Sequence, residues 1–296
     1  MIELTQKEYE KYRKKGIRTN EGYIFPNPKD KKKIIKVIEP VPTIPKYLEI
    51  KKHTIELLLE NKDYFGKLNI AYPCEPVTID TEQRAYVANK IKGIELSRAV
   101  IDPNITLETK ISYFKQVGTL LRQMGELRRK YPHLANFYYN DIHENNFLVT
   151  LNDIVYGIDL DSCRIGDNIP ICGMYPTSLP KIKRLDQKYK KCIQVCENST
   201  EYIPDKNIDL YSYIIMILNF MYGSPFTRWS PEKLDKYLNY LESKGANLEL
   251  LYALSYVFDE SKDNINPDYL LDYIKEIYQY SSVRYDEEGN LRRILR

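Results

Sequence analysis

The sequence predicts an α+β protein in which a small strand-rich N-terminal part precedes a larger helical part. Two observations carry this. Between residues 20 and 91, short apolar runs are separated by turn-forming Pro, Asp and Lys clusters, whereas from Thr106 onward apolar residues recur at helical spacing. A chain of 296 residues is long enough for a sizeable core, as one large or two-lobed domain.

Taken in order, "GYIF" and "KKIIKVI" flank the turn "PNPKDK" and read as a strand pair over 20–40; prolines at 40, 42 and 45 close that region. "KYLEIKKHTIELLLEN" (46–61) reads as a helix with a ragged apolar stripe, and "EPVTIDTEQRAYVANKI" (75–91) as two strands around a polar turn, with "IKGIELS" as connector. Thr106 caps a long helix whose last turn is basic. "DLYSYIIMILNFMYG" (209–223) is nearly continuously apolar and reads as a buried helix ending at Gly, and 231–243, 247–259 and 267–280 read as three more helices. The expected organisation is an N-terminal lobe over 1–92, a C-terminal lobe over 93–283 and a tail over 284–296.

Composition excludes several classes. Hydrophobic residues make up 43% and charged residues 29%, an ordinary globular balance. A net charge of +3 does not mark a nucleic-acid surface. No apolar run has the length of a membrane span, and "MIELTQKEYEKYRKKG" lacks the apolar core of a secretion signal. Five scattered cysteines argue for reduced thiols and a cytoplasmic setting; Cys192 and Cys196, four apart in a Lys-rich segment, read as free thiols before zinc ligands. The abundance of Tyr, 27 residues, accompanies many Ile, Lys and Asn and reads as codon bias.

The stretch "YYNDIHENNFLVTLNDIVYGIDLDSCRIGD" (138–167) sets carboxylates and carboxamides at the ends of short apolar runs. Asn146 follows Asp141 by five positions and Asp159 follows Asn146 by thirteen. Two short strands joined by a tight turn at "TLND" would bring Asn146 and Asp159 together, and such oxygen donors suit Mg²⁺ carrying a phosphate ligand. Solvated loops produce similar patterns, so the order of the other segments matters.

That order resembles the protein kinase superfamily, as an atypical serine/threonine-kinase-like member. "YNDIHENN" resembles the catalytic loop H-R-D-x-x-x-x-N and "DLD" the metal motif D-F-G. The resemblance, over roughly 20–280, implies a two-lobed fold and ATP- and Mg²⁺-dependent phosphoryl transfer to a hydroxyl-bearing acceptor, a protein before a small molecule. It implies Asp141 as the group orienting the acceptor, Asn146 and Asp159 as metal ligands, and Lys36 in "KIIKVI" as the phosphate-binding lysine. Backbone groups of roughly Asn89 and Ile91 would meet the base. Asp209 would brace the catalytic loop, and "GMYPTSLP" would end the activation segment. Lys36 needs a helix carboxylate; Glu49 and Glu56 both qualify, and Glu56 has the more usual separation.

The chain also departs from the family pattern. No G-x-G-x-x-G precedes Lys36, only Gly16 and Gly22, so Gly22 stands for a reduced phosphate-covering loop. Asn140 replaces the Arg before the catalytic Asp, which implies activity without a phosphorylated activation segment. His143 replaces a Lys, as in small-molecule kinases of the superfamily. An insertion of mixed charge follows Pro180. In "IDLDS", Asp159 is expected to bind metal directly and Asp161 to accept turn N–H groups near Ser162 and Cys163. A pseudokinase binding module is the alternative in another class.

Overall fold

The computed structural model describes residues 2–19, 21–42, 46–168, 207–222 and 231–246, with Leu248, Leu251 and two short strands at 284–285 and 291–292. The expected helices 247–259 and 267–280, the "GMYPTSLP" segment, the 181–206 insertion, Cys192, Cys196 and Gly223 lie outside the described residues, apart from Leu248 and Leu251.

The protein is an α+β structure built on a six-stranded sheet. Its strands are β1 (Ile2–Leu4), β2 (Ile17–Thr19), β3 (Gly22–Pro26), β4 (Lys33–Ile38), β5 (Pro73–Ile79) and β6 (Glu82–Asn89), in the order β1-β5-β6-β4-β3-β2. β1 runs parallel to β5 and every other pair is antiparallel. Successive side chains of a strand point to opposite faces, so "IIKVI" divides. Ile35 and Val37 join Phe25, Ala85 and Val87 on one face, while Ile38 joins Tyr86 and Ala88 on the other. Lys36 pairs with Tyr86 across the β4–β6 ladder and shares that second face.

A helix covers each face. Helix α1 (Gln6–Arg13) starts at a reciprocal capping box, Thr5 with Glu8, and buries Tyr9 against the first face. Tyr12 stacks on Phe25 at 5.5 Å, and the Tyr9 hydroxyl donates to Glu39 at 2.8 Å. Helix α2 (Tyr47–Glu60) covers the second face with Tyr47, Lys51, Thr54, Ile55 and Leu58 buried. The stripe looked ragged in the sequence because one of its inward positions is a lysine.

The chain then forms a three-stranded sheet, β7 (Gly93–Glu95), β8 (Phe147–Thr150) and β9 (Val155–Gly157), in that order. Between β7 and β8 come the short α3 (Leu96–Ala99) and the 24-residue α4 (Leu107–Lys130), capped by Thr106. Helix α5 (Asn207–Tyr222) packs on α4: the Tyr213 hydroxyl donates to the Phe114 carbonyl at 2.8 Å, and Phe114 and Phe220 lie 4.6 Å apart. Helix α6 (Pro231–Ser243) adds Leu234, Tyr237 and Leu241 to the same core. This core also takes in Phe65, Leu68 and Ile70 from the segment after α2. The expected 92/93 boundary falls in the connection between β6 and β7, and an antiparallel pair, β10 (Arg284–Tyr285) with β11 (Leu291–Arg292), lies within the expected tail. Among the described residues, no helix is long and apolar enough to cross a membrane.

Candidate active site

The hairpin β8–β9 sets Phe147 opposite Gly157, and the Ile158 N–H donates to the Asn146 carbonyl at 2.9 Å. Asn146 and Asp159 therefore flank the base of one hairpin, as the "TLND" turn predicted. Gly157 has a steric reason: a Cβ there would stand 2.9 Å from the Tyr139 ring. The Tyr139 hydroxyl uses that space to donate to the Ile158 carbonyl and, at 3.1 Å, to the Asn146 carbonyl.

The loop before β8 is held from below. The buried Asp209 carboxylate accepts the Tyr139 N–H at 2.8 Å and the Asn140 N–H at 2.7 Å. Asn140 takes a left-handed conformation (φ 67°), and its amide donates to the Ser162 carbonyl at 2.9 Å. The Asn146 amide donates to both the backbone carbonyl and the Oδ2 of Asp141, each at 2.9 Å. Its hydrogens are thereby used, which leaves the carboxamide oxygen as the acceptor available to a cation. His143 accepts the Asn145 N–H through Nδ1, and its Nε2 lies 3.8 Å from Asp141; burial lowers its pKa.

Lys36 reaches this region from the other sheet. Its Nζ bonds directly to Asp159, lies 2.7 Å from Asp161 and 3.3 Å from Glu21. Lys51 stands beside it, 2.7 Å from Asp161, 2.8 Å from Glu21 and 2.7 Å from the Ser162 hydroxyl. Tyr86 donates to Asp161 at 2.9 Å and Tyr47 to Glu21 at 2.7 Å. Asp161 is completely buried, and the two ammonium groups hold its carboxyl well below the usual carboxylate range. Asp159 is a third exposed and sits in the left-handed region (φ 67°); desolvation, aided by Asp161 and Glu21 and opposed by Lys36, pushes it up to about 6. Both lysines are held above their ordinary value by these carboxylates, against desolvation.

Glu21, Asp159 and Asp161 offer oxygens within 4.8 Å of one another, a set that could hold a metal ion. Asp161 is already engaged by two lysines and a tyrosine. Asp159 is engaged by Lys36, and the Asn146 carboxamide oxygen, on the other flank of the hairpin, is a donor of the type that a hard divalent cation takes.

Several expectations change. Glu56 is half-buried and 3.8 Å from Lys52, and Glu49 is exposed; neither serves Lys36. The acid that fixes Lys36 from within is Asp161, and the helix contributes a cation in place of a carboxylate. Asp161 accepts from Lys51 and Tyr86 side chains where turn N–H groups were expected; the Cys163 N–H goes to the Leu160 carbonyl. Gly22 serves the sheet: its φ is +150° and a Cβ would stand 2.0 Å from the Val37 carbonyl oxygen. Asn89 ends β6 opposite Lys33, three residues and so about 10 Å along the strand from Tyr86, with Ile91 just beyond.

Glu21, Lys51, Tyr47 and Tyr86 were missed. Only Lys51 left a signal, as the charged position in an otherwise apolar helical stripe. A separate groove of about 550 Å³, lined by Gly93, Ile94, Thr106, Tyr113 and Leu151 among others, contains none of the candidate residues. Compared with models of known protein families and with curated proteins, the chain matches none.

Proposed function

We propose that the protein is a phosphotransferase of the protein-kinase-like, two-lobed type, using ATP and Mg²⁺ to phosphorylate a hydroxyl group, on a protein before a small molecule. The observation that carries this reading is the meeting of Lys36 with Asp159 across 123 positions, beside a hairpin whose other flank is Asn146 bonded to Asp141. Such a set has the parts that phosphoryl transfer needs: a cation for the phosphates, oxygen ligands for a metal and a carboxylate for the acceptor. The strand order around Lys36 supports the same reading. Mg²⁺, held by Asp159 and Asn146, would supply charge neutralisation of the transferring phosphate. Asp141, oriented by the Asn146 amide, accepts a hydrogen bond from the acceptor hydroxyl and fixes its direction. Asn89 and Ile91, at the end of β6, are the backbone candidates for the base.

The test is turnover of labelled ATP with Mg²⁺ by the full chain, comparing wild type with Lys36→Met and Asp141→Asn. Each variant, with folding checked by circular dichroism, should lose transfer by ~10³-fold or more, the scale on which single electrostatic groups act in this chemistry. Wild-type turnover in both would sink the reading. A nucleotide-binding module without turnover is the second reading, favoured by Glu21 lying against Lys36 directly before β3. Thermal stabilisation by ATP and Mg²⁺ with no phosphate released would select it.

A further inference from the structure

Glu21 lies on the outer side of two buried cations. Its carboxylate accepts from the Lys51 ammonium at 2.8 Å and the Tyr47 hydroxyl at 2.7 Å through one oxygen, and from Lys36 at 3.3 Å through the other. The side chains of Lys36 and Lys51 are 5% and 2% exposed, whereas that of Glu21 is 27% exposed. Tyr47 and Lys51 stand four apart on α2 and so present their polar ends on one face. Two ammonium groups and a hydroxyl converging on one carboxylate are the donor set that binds an anion, and a phosphate group satisfies the same donors.

We propose that Lys36, Lys51 and Tyr47 form a phosphate clamp, and that Glu21 is the internal anion that fills it until the phosphates of a nucleotide replace it. This rests on the phosphotransferase reading and adds Lys51 and Tyr47 to its binding residues. The backbone is built for the exchange. The Glu39 N–H holds the Glu21 carbonyl at 2.8 Å, and the next residue, Gly22, pairs with Thr19 and lies tight against Val37. The strand register is therefore kept while only the Glu21 side chain swings outward. Asp161, bonded to both lysines from the inner side, keeps them in place during the exchange.

Charge supports the direction of exchange. Lys36, Lys51, Glu21, Asp159 and Asp161 sum to −1, which repels a polyphosphate. Displacing Glu21 brings the sum to zero, and a divalent cation on Asp159 makes it +2. The competing role for Glu21 is that of a third metal ligand beside Asp159 and Asp161. The two roles predict opposite effects of removing its charge.

The experiment measures tripolyphosphate binding calorimetrically in EDTA, then ATP turnover with Mg²⁺, for wild type, Glu21→Gln, Glu21→Ala and the double variant Glu21→Gln/Lys51→Gln, each checked for folding by circular dichroism. Removing one like charge from a site of this kind should tighten tripolyphosphate about tenfold. Both Glu21 variants should show that gain, and the double variant should lose it. No gain in either Glu21 variant, or a gain that survives loss of Lys51, overturns the clamp. Weaker ATP–Mg²⁺ use in both Glu21 variants without any gain in EDTA assigns Glu21 to the metal and also overturns it. Absence of wild-type turnover alongside the tripolyphosphate gain overturns the phosphotransferase reading and leaves the clamp standing.

Discussion

Lys51 and Asp161 meet at 2.7 Å in the interior, 110 positions apart in the chain, and the same carboxylate holds Lys36 at 2.7 Å. A negative charge shared by two ammonium groups ties helix α2 to strand β4 and to the turn after β9. Removing one member of such a set leaves its partners buried and uncompensated.

Asp161→Asn is accordingly expected to be the most damaging single substitution in the cluster, costing roughly 3–5 kcal/mol. The sign follows from its depressed pKa: the stability it contributes is present above the unfolded pKa and is lost only as pH falls through the folded one. Urea unfolding at neutral pH should show the deficit. A variant as stable as wild type would mean the two lysines do not depend on this carboxylate.

Asp209→Ala should act on the loop before β8 without touching Lys36. It leaves two buried N–H groups, of Tyr139 and Asn140, without their acceptor. The expected outcome is a fall in kcat of about tenfold or more, with tripolyphosphate affinity close to wild type. Equal losses in both would place the defect in global stability.

Lys110 is a test of burial alone. Its side chain lies inside the first turns of α4, Nζ has no hydrogen-bond partner among the described residues, and desolvation lowers its pKa. A base with a depressed folded pKa costs stability at low pH, and that cost is relieved as pH rises from the folded to the unfolded value. Lys110→Met should therefore raise Tm at pH 7, and the gain should shrink toward pH 10. A variant that melts lower than wild type at pH 7 would show that the ammonium is stabilising.

Asn140 spans from the loop before β8 to the Ser162 carbonyl by a neutral hydrogen bond, and offers no cation to grip a phosphate. Phosphatase-treated protein should keep its initial rate. A large loss that returns on pre-incubation with ATP would contradict this.

The strands and helices that the sequence marks are those whose periodicity is simple. β4 and β6, the Thr106-capped α4 and the apolar α5 carry their own pattern, because burial of one face or of all faces dictates residue type directly. The segment before residue 20 was read only for its charge and its lack of an apolar signal core, yet it forms β1, α1 and β2; its local sign was the Thr5–Glu8 capping box, while Ile2, Leu4 and Tyr9 supply its buried side chains. At the site, Asn146 and Asp159 are legible together because one short hairpin joins them, with Asp141 five residues before Asn146; Lys36, 105 positions before Asp141, was marked only through the family resemblance. The rest of the charge cluster around Lys36 is not legible. Glu21, Lys51 and Asp161 come from a turn, a helix and a second turn; Lys51 is marked only as a charge in the α2 stripe, and nothing local distinguishes Glu21 from Glu56. Packing decides it: α2 lies on the sheet with Lys51 facing inward, where the Asp161 and Glu21 carboxylates meet its ammonium, and Glu56 paired with Lys52 outside. Which charges are neighbours is thus set by how the helix sits on the sheet, a relationship between elements far apart in the chain.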